Sequence, residues 1–174
     1  MIKPRQPVPE LSVPVVDGGH WTLSERAPQC FAMIVAYRGL HCPICRAYLS
    51  ELDRLHSQFV ARGVDVLAVS ADDGGRAERA VAQWGLQNLA VGHSLPIDVA
   101  RNWGLYVSRS RGPTSAGIEE PSLFTEPGVF VVRPDRTLYF AAVQTMPFAR
   151  PHFDELLRAI DFVVKNDYPA RGEA

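Results

Sequence analysis

The feature that most constrains the fold of this chain is a continuous apolar run, Phe31 to Tyr37, followed by a helical pattern and a second apolar run. Continuous apolar runs are typical of strands that are buried on both faces of a sheet. Residues 43–62 repeat apolar side chains at helical spacing, between Pro43, which suits a first turn, and Gly63, which suits the position after a last turn. Val64 to Ser70 is again typical of a buried strand. The segment therefore predicts a β-α-β unit with a right-handed crossover.

The other predicted elements surround this unit. They are a hairpin over 11–23 with its turn at 17–20, a helix over 76–84, short elements at 90–91 and 97–103, a mobile loop over 109–121, a strand pair over 129–143 that turns at 134–136, and a helix over 151–165. This order favours an α/β fold in which a central mixed sheet is flanked by helices. The length and the lack of internal repeats predict a single domain over 1–174.

Composition and charge exclude several classes of function. The net charge is −1, so the chain lacks the basic excess of proteins that bind nucleic acids or anionic membranes. Its longest apolar run is too short to span a bilayer, and its polar first ten residues do not resemble a secretory signal. Three cysteines are too few for a disulfide scaffold. We therefore expect a cytoplasmic protein in which a close cysteine pair is catalytic or metal-binding.

The motif that carries chemistry is Cys42-Pro43-Ile44-Cys45, between the first buried strand and the predicted helix. A helix N-terminus offers unpaired N–H groups and the positive end of the helix dipole, and both favour a thiolate over a thiol. At such a site the pKa of a cysteine can fall from about 8.5 to roughly 3.5–7.5. Cys45 lies about one helical turn after Cys42, within reach for a disulfide. This placement predicts a redox-active pair.

Two residues near the pair are candidates for supporting this chemistry. His41 would favour a Cys42 thiolate if it were protonated, and Arg38 at the strand end would add a fixed positive charge. Each is equally compatible with an exposed or ion-paired side chain that has no role. Cys30, at the start of the strand, is better explained as a small core residue than as a participant in catalysis.

A metal site and an inert pair are the alternatives from the residues alone. A Cys-Pro-x-Cys knuckle is also half of a zinc ribbon, but a structural zinc site needs a second pair of ligands, and the chain has no second cysteine pair. An all-cysteine iron–sulfur site needs four cysteines. Two buried, unreactive cysteines are the plainer alternative. We therefore expect no metal and no other cofactor.

The segment Tyr37 to Cys45 resembles the active-site segment of the AhpC/TSA (peroxiredoxin-like) family of the thioredoxin superfamily. Residues 14–23, 69–72, 100–105 and 127–135 also resemble segments of that family, in the same order, so that the resemblance extends over most of the chain. It implies a thioredoxin-like fold with an N-terminal β-hairpin and an antioxidant, thiol-based redox activity.

The chain departs from the peroxiredoxin pattern at three positions. The family's Pro-x-x-x-Thr-x-x-Cys motif places its peroxidatic cysteine on Cys45. The threonine position then holds Cys42, and the proline position holds Arg38. The place of the family's second arginine, just before a late strand, holds Pro127.

Thioredoxin-like disulfide oxidoreductases match the chain at other positions. They carry Cys-x-x-Cys and a cis-proline three residues ahead of a phenylalanine, a spacing that Pro127 and Phe130 reproduce. By this resemblance Cys42 would be the exposed nucleophile and Cys45 the resolving cysteine. Pro127 would lie against the pair and help to dock the substrate chain.

The resemblance implies an enzyme with two candidate reactions. In the first hypothesis it is a thiol–disulfide oxidoreductase, in which Cys42 attacks a protein disulfide and Cys45 releases the mixed disulfide. In the second it is a hydroperoxide reductase, in which Cys45 or Cys42 is oxidised and its neighbour resolves the sulfenic acid. Either implies a thiol reductant as partner, such as a thioredoxin or a low-molecular-weight thiol, and neither a nucleic acid nor a membrane. A non-catalytic thioredoxin-fold interaction domain is the third hypothesis.

Overall fold

The computed structural model describes residues 2–174, in which a five-stranded sheet has helices packed on both faces. The strands are β1 (Ser12–Pro14), β2 (His20–Thr22), β3 (Phe31–Ala36), β4 (Val64–Val69), β5 (Ala90–Gly92), β6 (Val107–Arg109), β7 (Leu123–Thr125), β8 (Gly128–Val132) and β9 (Leu138–Val143), and the helices are α1 (Pro43–Val60), α2 (Gly74–Trp84), α3 (Ile97–Asn102) and α4 (Phe153–Asn166). The central sheet has the order β5-β4-β3-β8-β9, and β1/β2 and β6/β7 form two separate hairpins. The predicted α/β fold, with its mixed sheet and N-terminal hairpin, is confirmed.

The central strand β3 is buried on both faces, as its apolar run predicts. Met33 and Val35 pack into the core that contains α1, α2 and α4. Ala32 and Ile34 point the other way, into the core formed with the N-terminal hairpin and α3. Because side chains alternate along a strand, each position of β3 faces one core or the other. This double burial fixes the end of β3, and with it the loop that carries the cysteine pair.

The predicted β-α-β unit is confirmed, since β3 and β4 are parallel neighbours joined through α1. Gly63 lies between α1 and β4 with φ +70°, and a Cβ there would lie 2.7 Å from the Cβ of Gln29. Both observations explain why the chain needs glycine at this reversal. None of the helices within residues 2–174 combines the length and the apolar character that crossing a membrane requires.

The segment 109–121 is largely a loop, as predicted, while its mobility stays a prediction. It forms the end of the β6/β7 hairpin, with a further isolated bridge across it. The Glu120 carboxylate accepts a hydrogen bond from the Arg111 backbone N–H at 2.8 Å and forms an ion pair with Arg38 at 3.3 Å. The glycines and prolines of this segment are typical of a loop, but the contact that ties it to the end of β3 joins residues far apart in the sequence.

Asp53 is a buried carboxylate that ties α1 to the segment after α2. It accepts hydrogen bonds from the backbone N–H groups of Gln87, Asn88 and Leu89 at 3.0, 2.8 and 3.1 Å. We expect Asp53→Ala to lower the free energy of unfolding by about 2–4 kcal/mol, because these three N–H groups and the Asn88 side-chain amide, which donates at 3.0 Å, lose a charged acceptor. Urea denaturation measures this loss, with Asp154→Ala, which removes only an exposed ion pair, as the control that should change little. Equal stability of the two variants would contradict the role given to Asp53.

Candidate active site

Cys42 is the N-cap residue of α1, directly after the buried strand β3 and its short loop. Its backbone is extended, with φ −99° and ψ 105°, and Pro43 follows at the start of the helix. The Cys42 Sγ accepts a hydrogen bond from the Cys45 backbone N–H at 3.3 Å. Cys45 lies one turn further along the same helix. The structure therefore places the pair where the sequence predicts it, with the Cys42 sulfur on a first-turn N–H group that it shares with the Cys42 carbonyl at 3.1 Å.

The two sulfurs have opposite acid–base properties. A hydrogen bond from the Cys45 thiol, together with the Cys45 N–H and the Arg150 guanidinium, lowers the pKa of Cys42 to about 6 against the opposing effect of burial. Burial, and next the adjacent Cys42 sulfur, raise the pKa of Cys45 well above its usual value. At neutral pH Cys42 is therefore a thiolate, and Cys45 is a thiol that donates to it. A nucleophile and its resolving partner require this asymmetry.

Both sulfurs are shielded from solvent. Cys42 is 1% exposed and Cys45 is 0% exposed. Both cysteines are free thiols in this structure, and so is the half-buried Cys30. Cys42 therefore differs from the exposed nucleophile that the thioredoxin-like resemblance implies, because the loop before α4 lies over it.

This covering loop, residues 144–151, is here called the strap. It begins where the Gln144 N–H donates to the Pro127 carbonyl at 3.0 Å, and it ends where the Tyr48 hydroxyl donates to the Pro151 carbonyl at 2.7 Å. The strap is thus attached to the β7–β8 connection at one end and to α1 at the other.

Arg150 of the strap supplies the positive charge of the site. Its Nη2 donates to the Cys45 Sγ at 3.2 Å and lies 3.9 Å from the Cys42 Sγ. Its Nε donates to the Pro147 carbonyl at 2.7 Å, and its guanidinium lies 4.9 Å from the centre of the Tyr48 ring. An arginine held at three sides in this way is fixed before any substrate binds.

The loop between β3 and α1 is held by a buried carboxylate. Asp72 accepts a hydrogen bond from the Leu40 N–H at 2.7 Å and from the Arg76 Nε at 2.8 Å. Gly39 allows this approach, since its φ is +127° and a Cβ there would lie 2.6 Å from an Asp72 carboxylate oxygen. The Asp72 contact therefore sets the position of the chain immediately before Cys42.

His41 does not supply the charge that its position suggested. It is completely buried, and its ring packs against Phe124 with centroids 4.7 Å apart. Burial lowers its pKa to about 4, so the ring is neutral at pH 7. The hypothesis of a protonated His41 beside the thiolate is therefore wrong. The nearby cation is Arg150 instead.

Arg38 lies near the site but its charge is largely balanced. It forms ion pairs with Glu120 at 3.3 Å and with Glu126 at 3.4 Å, and it lies over the Phe124 ring. It contributes least among the causes that lower the pKa of Cys42. Arg38 therefore helps slightly to lower the pKa of Cys42, while most of its charge is balanced by its two ion pairs.

Pro127 is buried, and its peptide bond is trans, as are all peptide bonds within residues 2–174. The cis geometry implied by the thioredoxin-like resemblance is therefore absent. Hydrogen bonds from Glu126 N to the Tyr106 carbonyl and from Gln144 N to the Pro127 carbonyl hold this connection between β7 and β8. A proline that meets no tight turn keeps the more stable trans bond. Pro127 therefore anchors the strap through its carbonyl.

Two residues of the site were missed by the sequence interpretation, Arg150 and Tyr48. Arg150 lies more than a hundred positions after Cys42, in a segment without periodicity. The only available signal was a lone arginine before the final helix.

Within residues 2–174 no group of three or more histidine, cysteine or acidic side chains is arranged to hold a metal ion.

A cavity of about 420 Å³ lies beside the site. It is lined by Arg38, Ser108, Arg109, Ser110, Arg111, Glu120, Phe124, Glu126, Thr145, Met146 and Pro147. The last three belong to the strap. The cavity thus shares a wall with the cover of the thiols.

Comparison with known proteins identifies related folds. The model of the AhpC/TSA family matches residues 4–141. Peroxidoxin BcpB of Mycobacterium tuberculosis is 17% identical with a TM-score of 0.72, over 94% of this chain and 99% of that one. The 2-Cys peroxiredoxin of Plasmodium vivax is 15% identical with a TM-score of 0.75, over 96% of this chain and 84% of that one. AhpC of M. tuberculosis is 14% identical with a TM-score of 0.74, over 94% and 99%. No curated protein matches.

Proposed function

Because the chain belongs to the AhpC/TSA family, it is a thiol-based oxidoreductase, and we propose that it acts as a two-cysteine hydroperoxide reductase. In this proposal Cys42 attacks the peroxide and Cys45 resolves the product. The observation that carries it is a thiolate and a neutral thiol side by side, both shielded and both within reach of one arginine. Family membership alone does not say which cysteine attacks.

The cycle needs no group beyond the two cysteines and the substrates. The Cys42 thiolate attacks the terminal peroxide oxygen, the O–O bond breaks, and the alkoxide leaves and takes up a proton. Cys42 becomes a sulfenic acid. The Cys45 thiol then attacks the Cys42 sulfur, water leaves, and a Cys42–Cys45 disulfide remains. Two equivalents of an external thiol restore the dithiol and become a disulfide themselves.

Arg150 serves two steps of this cycle. Its guanidinium favours the Cys42 thiolate in the resting enzyme, because opposite charges at 3.9 Å attract in a dry site. A fixed guanidinium donor this close to the attacking sulfur also stabilises the negative charge that develops on the departing oxygen, and so lowers the barrier. The family's second arginine position holds Pro127 here, and Arg150 takes over its function from another segment.

The burial of the pair favours a small oxidant. A protein disulfide must bring its own sulfur and backbone into contact with Cys42, which is 1% exposed beneath the strap. A hydroperoxide needs room for two oxygen atoms. The start of α1 at Cys42-Pro43 nevertheless favours disulfide reduction as a second candidate function, because a low-pKa cysteine at an N-cap also attacks disulfides.

The partners follow from the cycle. The family implies a hydroperoxide as substrate and a thiol as reductant. A thioredoxin and a low-molecular-weight thiol both supply the required electrons, but a thioredoxin, like a protein disulfide, must bring its own backbone to the shielded Cys42. The cytoplasmic location expected from the few cysteines stays a prediction.

A pH series with the reduced protein tests the proposal. Stoichiometric hydrogen peroxide is expected to convert it to the Cys42–Cys45 disulfide within seconds, as followed by mass spectrometry of quenched samples. The rate should rise with pH through about 6 and level off above it, because Cys42 loses its proton there and only the thiolate reacts.

The same series separates the alternatives. A rapid reaction with oxidised insulin and none with peroxide would establish the disulfide reductase in place of the peroxidase. The third hypothesis, a non-catalytic interaction domain, predicts neither reaction. It also predicts a thiolate midpoint of about 8.5, the value of an unperturbed cysteine.

A further inference from the structure

The cavity beside the strap carries two arginines that the proposed cycle leaves unused. We infer that it binds the carboxylate of a small-molecule thiol, and that this thiol reduces the Cys42–Cys45 disulfide. The inference rests on the proposed two-cysteine cycle and names the class of its reductant. It is drawn from the position, the charge and the lining of the cavity.

The cavity is connected to the thiols through two residues of the strap. Its wall includes Pro147, whose carbonyl accepts the hydrogen bond from the Arg150 Nε at 2.7 Å. The same guanidinium donates to the Cys45 Sγ at 3.2 Å. Loss of the Cys42 thiolate on oxidation removes one partner of Arg150, and this weakens the attachment of the strap between cavity and disulfide. The strap that walls the cavity is thus linked, through Arg150, to both sulfurs of the pair.

The charges in the cavity leave a net attraction for anions. Glu120 and Glu126 are both engaged, through Arg38, the Arg111 backbone N–H and the Ser108 hydroxyl. In contrast, the side chains of Arg109 and Arg111 make no hydrogen bond or ion pair within residues 2–174 and are exposed at the rim.

Arg109 is the last residue of β6 and Arg111 follows it in the adjoining loop, and both side chains line the same cavity. Two neighbouring guanidinium groups form a suitable site for a carboxylate, which accepts hydrogen bonds from such forks in pairs.

The lining selects a polar ligand. Apart from Phe124, Met146 and Pro147, the side chains that line the cavity are charged or carry hydroxyl groups. Such a surface does not suit the acyl chain of a lipid hydroperoxide, whose transfer from water needs apolar contacts. A volume of about 420 Å³ lies within the usual range of small-molecule sites, about 300–1,000 Å³. A carboxylated amino-acid or peptide thiol fits both conditions.

The reduction is balanced by two molecules of this thiol. The first, as a thiolate, attacks the Cys42 sulfur, and the Cys42–Cys45 bond breaks as Cys45 leaves and takes up a proton. The second attacks the sulfur of the bound thiol, which departs with it as a disulfide. Cys42 is released as a thiolate, and two electrons have passed to the pair.

Binding of S-methylglutathione, which carries two carboxylates but cannot react, tests the inference without turnover. Titration calorimetry is expected to show binding to the intact protein that weakens about tenfold in Arg109→Gln/Arg111→Gln. The matched control is Arg54→Gln/Arg79→Gln, which removes the same charge from exposed positions of α1 and α2 and should bind as the parent does. Equal binding by the two double variants, or no binding by the parent, overturns the inference.

A second measurement separates this failure from a failure of the cycle. The disulfide is first formed with hydrogen peroxide, which tests the cycle alone, and is then reduced by glutathione or by uncharged 2-mercaptoethanol. Arg109→Gln/Arg111→Gln should raise the concentration of glutathione at half-maximal rate about tenfold and leave reduction by 2-mercaptoethanol and oxidation by peroxide unchanged. An equal loss with both thiols would overturn carboxylate recognition even where the cycle itself is intact.

Discussion

Cys42→Ser is expected to lower hydroperoxide turnover by about 10³-fold or more, because a serine hydroxyl stays protonated at neutral pH and does not attack peroxide oxygen. Cys45→Ser should stop turnover at another point. Its Cys42 thiolate still reacts once, but without a resolving thiol the sulfenic acid persists. Dimedone labelling followed by peptide mass spectrometry should therefore find one label per chain, on Cys42, in Cys45→Ser and none in Cys42→Ser.

Cys30→Ser is the matched control for these substitutions. Cys30 is a free, half-buried thiol directly before β3, outside the site, so its loss should change neither turnover nor labelling. The opposite pattern, with a sulfenic acid on Cys45 in Cys42→Ser, would assign the first attack to the cysteine that aligns with the family's peroxidatic position. The acid–base asymmetry of the two sulfurs would then not decide their order.

The parts of this site that depend on local sequence were predictable. The apolar run of β3 and the helical spacing after Pro43 place Cys42 at a helix start, and the structure agrees. Both signals extend over a few residues and reflect how one strand or one helix is buried. The resemblance to the family also rested on short segments, and their order predicted the order of the remaining strands and helices.

The parts that depend on distant segments were not predictable. The ion pair that ties the 109–121 segment to the end of β3 joins Arg38 to Glu120, and the charge at the sulfurs comes from Arg150. Neither contact leaves a periodic signal. The error about His41 has a related cause, because its neutral state depends on burial under residues from other elements. His41 is next to Cys42 in the sequence, which suggested that it supplies the positive charge beside the thiolate. In the folded chain that charge belongs to Arg150, which contacts both sulfurs.

In the proposed cycle, an exchange of roles between positions accounts for the departures from the family pattern. The second arginine position holds Pro127, and the strap anchored on the Pro127 carbonyl carries Arg150 to the sulfurs. The threonine position holds Cys42, so the group that lies beside the aligned cysteine is itself a thiol. A site that keeps a cation and a hydrogen-bonding neighbour around Cys45 thus gains a second sulfur for an internal disulfide.

Arg150→Met is expected to raise the pKa of Cys42 by about one unit or more, because a positive charge within a few ångströms lowers the pKa of an acidic group by about 1–3 units. Methionine keeps a flexible apolar side chain against Tyr48 but carries no charge. The starting pKa is about 6, so at pH 6 the thiolate fraction and the rate of oxidation should fall several-fold. Above the new pKa the thiolate is restored, and the loss that remains there measures the stabilisation of the departing alkoxide, on the order of tenfold or more.

Arg150→Lys provides the control for this substitution. Lysine keeps the positive charge and should leave the pKa of Cys42 near that of the parent, while it loses the Nε donor to the Pro147 carbonyl. Thiolate absorbance at 240 nm followed through a pH titration separates the variants. A midpoint in Arg150→Met equal to that of the parent would show that the Cys45 thiol and the helix start hold the Cys42 thiolate alone. In that case Arg150 would act only on the leaving oxygen. The ratio of the parent's rate to the rate of Arg150→Met would then be the same at every pH.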